Sequence, residues 1–86
     1  MTEPTTHESI FQTVKKNIVE ILFDVEEELI LLEVSLTDLG ANSLDRAEIA
    51  LAAMEDLKLN FPVREMANIK NIGGLVDFLY EKKRIQ

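Results

Sequence analysis

Apolar residues Ile10, Val14, Ile18, Ile21 and Leu22 recur at three- and four-residue spacing, with Lys15, Lys16, Asn17 and Glu20 between them. That period draws one apolar stripe along a helix and predicts an amphipathic first helix whose polar residues face water. A capping box is available at Ser9 with Gln12 or at Thr5 with Glu8. Past Phe23 the period is lost: Asp24 to Glu28 is an acidic run, and Leu29 to Leu32 is an apolar block without helical spacing. A long connection is predicted here. Loops of such length pack or carry function, and Leu29, Leu31, Leu36 and Leu39 are available to pin this one to the core.

Gly40 interrupts the chain, and Asn42 is a favoured N-cap for a second helix with Asp45 in its first turn. Ile49, Ala53 and Leu57 form its inward ridge, Ala50 and Met54 flank that ridge, and Asp45, Glu48, Glu55 and Asp56 supply the wet side. Asn60 and Pro62 are expected to end it. A short helix follows over Val63 to Ala67. The last helix starts near Asn71, with Ile72, Leu75, Val76 and Leu79 inward, Phe78 or Tyr80 completing the stripe, and Lys82, Lys83 and Arg84 as cations at its C-terminal end. The fold class is therefore all-α, a small antiparallel bundle of three main helices plus one short helix. One domain over residues 1–86 is expected, with 1–8 as a flexible N-terminal segment.

Composition narrows the function. With 16 Asp plus Glu against 9 Lys plus Arg, the net charge is -7. Such a surface repels nucleic acid and anionic lipid and suits basic protein partners. The chain has no cysteine, so neither a disulfide nor a thiolate metal site is available. Asp24, Glu26, Glu27, Glu28 and Glu33 lack the alternation and the glycine of a calcium loop, so no metal site is expected there. The polar start has no apolar run of the secretory kind, and no stretch reaches membrane-spanning length. A cytoplasmic monomer is the expectation. The single histidine, His7, lies in the polar N-terminal segment and is read as exposed and without function. No nucleophile with a paired base is visible, which argues against an enzyme.

The segment that carries chemistry is Asp38-Leu39-Gly40-Ala41-Asn42-Ser43-Leu44-Asp45. It sets a serine hydroxyl where helix amides lack partners, so that a phosphodiester on Ser43 would lie at the positive end of the helix. These residues resemble the acyl carrier protein family through the signature Leu39-Gly40-Ala41-Asn42-Ser43-Leu44, continued by Asp45, Glu48, Glu55, Asp56, Pro62 and Ile72-Gly73. The resemblance implies a 4'-phosphopantetheine arm, taken from coenzyme A by a phosphopantetheinyl transferase and attached to Ser43. It also implies carriage of a thioester-bound acyl group, with no catalytic residue in the carrier itself. Asn42, Leu44, Asp45, Arg46, Glu48, Met54 and Glu55 would form the partner-recognition face, the acids meeting Lys or Arg on partner enzymes. The family usually has Asp where this chain has Asn42, which keeps the capping oxygen and removes a charge.

Arg46-Ala47-Glu48-Ile49, Met54-Glu55-Asp56-Leu57 and Asn71-Ile72-Gly73 are similar to donor carriers of bacterial polyketide β-branching cassettes. That narrower resemblance implies acetyl as cargo and a hydroxymethylglutaryl (HMG) synthase-like enzyme as partner. It further implies an acyl-loading or decarboxylating ketosynthase-like enzyme upstream. Arg46 stands within an acidic face and has no evident salt-bridge partner one turn away, which favours a recognition role for it. Two other readings stand beside this one: a carrier for fatty-acid, other polyketide or nonribosomal peptide synthesis, and an unmodified helical interaction module.

Overall fold

A computed structural model of the chain describes residues 6–85. The chain forms α1 (His7–Ile21), α2 (Ser43–Leu57) and α3 (Ile72–Ile85), with 3-10 helices at Glu27–Leu29 and Val63–Met66. The short helix expected over Val63 to Ala67 is thus a 3-10 segment. The first of the two lies in the stretch read as loop, where the helical period fails. The all-α bundle is the observed class, and α1 packs against both α2 and α3.

The start of α1 differs from expectation. Thr6 is the N-cap: its Oγ1 accepts from the Ser9 amide at 3.0 Å, while the Thr6 amide donates to Ser9 Oγ at 3.1 Å. Ser9 is therefore the reciprocal acceptor and not the cap, and Thr5 lies outside the described residues. Of the segment expected to be flexible, His7 and Glu8 belong to the helix. The His7 ring stacks on Tyr80 with centroids 3.9 Å apart, and its Nε2 stands 3.2 Å from Asp77 Oδ1. These contacts join the beginning of α1 to α3.

Ile10, Val14 and Ile18 are fully buried, as their spacing requires, together with Ile30, Ile49, Ile72 and Leu79. Each such side chain removed from water contributes about 1.5–3 kcal/mol of transfer free energy. Asn17, assigned to the wet side, is buried instead. Its Nδ2 donates to the Thr13 carbonyl at 2.9 Å and to Asp56 Oδ2 at 3.0 Å, so the amide enters the interior with both donors used. Lys16 Nζ approaches the same Asp56 oxygen at 3.4 Å. Asp56 is consequently a joint between α1 and α2 and not merely a solubilising acid.

The long first loop is pinned by Ile30, which is buried, whereas Leu29 and Leu31 are exposed. Leu36 and Leu39 pack against the core as expected. The loop also satisfies the open end of α3: the Ile72 amide donates to the Val34 carbonyl at 2.8 Å and the Gly73 amide to that of Leu32 at 2.7 Å. A Cβ at position 73 would stand 3.1 Å from the Leu32 oxygen, so the missing side chain permits this close approach. Asn71 Oδ1 accepts from the Gly74 amide at 2.7 Å and completes the cap.

α2 ends sooner than Asn60 and Pro62 imply. Lys58 takes a left-handed conformation with φ of 58°, its amide bonds the Glu55 carbonyl, and the Leu59 amide returns to the Met54 carbonyl at 2.8 Å. This is a Schellman ending, secured by burial of Leu59. Lys83 of α3 donates to the Leu57 carbonyl at 2.9 Å, so a cation assigned to its own helix end serves that of α2.

The loop's anchorage gives a contrast measurable by urea unfolding. Ile30→Ala is expected to lower stability by about 2–5 kcal/mol. Leu31→Ala, at a side chain 46% exposed, is expected to cost less than about 1 kcal/mol. Equal losses at the two positions would place the anchor elsewhere.

Candidate functional site

Sequence chemistry decides where α2 begins. Leu36 to Gly40 forms a turn in which the Asp38 amide donates to Ser35 Oγ at 2.9 Å, and the Ser35 amide to Asp38 Oδ2 at 3.4 Å. Gly40 has a φ of +94°, a conformation closed to ordinary side chains. The Ala41 amide then bonds the Leu36 carbonyl at 3.0 Å, with Ala41 buried. Asn42 follows as the N-cap: its Oδ1 accepts from the Asp45 amide at 2.8 Å, and the Asn42 amide donates to Asp45 Oδ2 at 3.3 Å. Asn in place of a capping Asp therefore fills the same structural role. Asp45, counted among recognition residues, is half-buried and engaged in this box.

Ser43 is consequently the first residue of α2, and it is exposed. The amides of Ser43 and Leu44 find no acceptor among the described residues. Arg46, one turn on, directs Nη2 to Ser43 Oγ at 3.3 Å. An accessible hydroxyl is available for esterification, and the two unpartnered amides and the guanidinium beside it suit a singly charged phosphodiester, since each supplies positive potential or a donor where its oxygens would lie. The position fits such a group, with Ser43 to bear it and Arg46 and the helix start to face its charge.

The predicted recognition face divides on inspection. Leu44 is 68% exposed, and Glu48 and Glu55 lie on the surface, but Met54 is 6% exposed and belongs to the core. The inward drift of Met54 follows from its place beside Ala50 and Ala53 on the buried side. Leu51, 51% exposed, was not among the expected residues. Its place is readable in retrospect: positions 44, 48, 51 and 55 recur at four-, three- and four-residue steps and lie on one face of the helix. That face alternates Leu, Glu, Leu, Glu, and its apolar members lower the amphipathic contrast of α2 because they sit on the solvent side.

Beside Ser43 opens a cavity of about 310 Å³ between residues 35–37 of the first loop, α2, the Val63–Met66 turn and the start of α3. Ala47, Ala50, Met66, Ile69 and Leu75 form its apolar walls, and Arg46, Arg64 and Lys70 stand among its lining residues. No helix of the described residues is long and apolar enough to cross a membrane.

Comparison with known proteins agrees with this geometry. The family model for the phosphopantetheine attachment site matches residues 12–79. The polyketide biosynthesis acyl-carrier-protein AcpK of Bacillus subtilis (strain 168) is 42% identical over 73 residues, covering 85% of this chain and 89% of that protein. An acyl carrier protein of Clostridium perfringens (strain SM101 / Type A) is 31% identical over 72 residues, covering 84% of this chain and 95% of that protein. A chain in the crystal structure of the curacin biosynthetic pathway HMG synthase in complex with acetyl donor-ACP superposes with a TM-score of 0.84 and 40% identity. The superposition covers 91% of this chain and 100% of that one. With the match extending from within α1 to within α3, and with relatives of nearly the same length, this chain belongs to the acyl carrier proteins, non-catalytic carriers of a covalent 4'-phosphopantetheine.

Proposed function

We infer that Ser43 bears the phosphopantetheine and that the chain delivers a short acyl thioester, acetyl, to an HMG synthase-like enzyme during β-branching in polyketide biosynthesis. The observation that carries the attachment is Ser43 itself, an exposed hydroxyl at the first position of α2 within the signature Leu39 to Leu44. The pathway is supported by the relatives, one a polyketide carrier and another seen with an HMG synthase as its acetyl donor. A phosphopantetheinyl transferase supplies the arm, and a ketosynthase-like enzyme that loads or decarboxylates the acyl group precedes the synthase.

When bound, the arm contributes a terminal thiol that holds the acyl group as an activated thioester. The chain's own residues do the rest. Ser43 fixes the tether to a rigid helix, so the cargo stays within an arm's length of any enzyme that docks on α2 and gains effective concentration there. Leu44 and Leu51 offer apolar contact, while Glu48 and Glu55 steer basic partner surfaces toward the helix. A monomer suffices for this work, since every element of the proposed site lies in one chain.

Incubation with coenzyme A and a broad-specificity transferase, followed by intact-mass measurement, tests the attachment. The wild type is expected to gain one phosphopantetheine, and Ser43→Ala to gain nothing while unfolding at the same urea concentration. A loaded Ser43→Ala protein would move the attachment site. Acetyl transfer from the loaded carrier to an HMG synthase-like enzyme, in preference to a fatty-acid ketosynthase, tests the pathway; the reverse preference would assign the chain to fatty-acid synthesis. Leu51→Ala is expected to weaken synthase binding by about 1 kcal/mol, roughly fivefold in Kd by titration calorimetry, with the fold unchanged.

A further inference from the structure

The 29 residues from Asn17 to Asp45 hold eight of the chain's 16 acids and none of its 9 Lys and Arg. Each ion pair among the described residues uses Asp56, Glu65, Asp77 or Glu81, so the acids of the first loop stand unneutralised. Amid them Leu29, Leu31 and Leu32 are exposed, three within four positions, while Ile30 between them fills the core. Single exposed leucines are ordinary on a folded protein, but close neighbours that keep apolar area in water mark a contact surface.

The loop presents these leucines on a fixed backbone. The Leu29 amide donates to the Glu26 carbonyl at 3.0 Å, the Ile30 amide to that of Glu27 at 3.1 Å, and the Val34 amide to that of Leu31 at 3.1 Å. The Leu32 and Val34 carbonyls are held in turn by the first amides of α3. Little backbone freedom is therefore left to lose when a partner covers the leucines, which favours binding there.

We propose that Leu29, Leu31 and Leu32, with Glu27, Glu28 and Glu33 beside them in the chain, form a second docking surface for the HMG synthase-like enzyme, received by an apolar depression bordered by Lys and Arg. The proposal rests on delivery to that enzyme. Charge selects the occupant: a second copy of this chain would bring acids against acids, and anionic lipid is repelled in the same way. Area calls for the extension. A stable interface covers about 800 Å² of each partner, roughly 20–30 residues, and the α2 face of Leu44, Glu48, Leu51 and Glu55 supplies four. An enzyme that receives an arm from Ser43 surrounds that serine, and Ser35, Leu36 and Thr37 border the same opening as Ser43. The docking surface thus continues from α2 past the serine onto the loop, where the next exposed leucines are Leu32 and Leu31. Leucine beside acid on both elements asks for one partner chemistry. The leucines act on dissociation and the acids on encounter.

The test measures association and dissociation rates between the full-length, acetyl-loaded carrier, its loading confirmed by intact mass, and the synthase-like enzyme at low and high salt. Leu31→Ala with Leu32→Ala is expected to raise Kd about fivefold through faster dissociation at both salts. Glu33→Lys is expected to slow association about threefold at low salt and not at high salt. Glu8→Lys makes the same change in net charge at the opposite end of α1 and is expected to slow it less. Wild-type rates in the leucine variant, with its urea midpoint unchanged, overturn the proposal, as does equal slowing by Glu33→Lys and Glu8→Lys. If the leucine variant unfolds early, the comparison of the two lysine variants decides alone. Self-association of the wild type that the leucine variant loses would assign the patch to a second copy and overturn the proposal too. A loaded wild type that does not bind the synthase at all sinks the pathway reading, and this proposal with it.

Discussion

The reciprocal hydrogen bonds between Asn42 and Asp45 are the contact on which the site depends, because they determine that α2 starts between Asn42 and Ser43. A cap of this kind is worth only about 1 kcal/mol. Its positional effect is larger than its energy. A helix started one turn earlier would put Ser43 inside the hydrogen-bonded ladder, with its amide consumed and its hydroxyl rotated along the cylinder. Held as it is, the serine stands beside two open amides at the end of the helix dipole that favours anions. The turn from Leu36 to Gly40 reinforces the choice. The left-handed glycine and the buried Ala41 bring the chain into α2 from a fixed direction.

The loop before that turn contributes through the far side of the molecule. Ile30 is seated in the core, and the carbonyls of Leu32 and Val34 accept the first amides of α3. The connection between α1 and α2 thus completes a helix to which it is not adjacent in sequence. Gly73 makes that approach possible. The groove beside Ser43 arises from the same arrangement, since its walls come from residues 35–37 of that loop, α2, the 3-10 turn after it and the start of α3.

Charge is segregated on this scaffold. Acids occupy the outer face of α2, where they remain hydrated and add long-range attraction for basic partners at little desolvation cost. Asp56, by contrast, faces α1 and binds Asn17 and Lys16. Cations gather at the groove. The acidic outer face of α2 and the cationic groove are thus distinct surfaces of one small fold.

The sequence by itself determined the helices, the class of fold, the family signature and the serine, because apolar period, capping chemistry and turn residues are local properties that act through the backbone near them. It placed Ile49, Ala53, Ile72 and Leu79 inward correctly for that reason. Only the tertiary structure decided which polar residue could be buried, which of four neighbouring apolar loop residues would anchor, and which cation would serve which helix. Asn17 enters the core because Asp56, distant in sequence, supplies an acceptor there, and Ile30 replaces Leu29 and Leu31 because the path of an irregular loop has no period to read. Met54 is buried and Leu51 exposed on similar grounds: burial on α2 depends on where α1 and the following turn come to lie. The cationic groove is the clearest case, since Arg46, Arg64 and Lys70 are scattered in the chain and share a cavity only once the helices have packed.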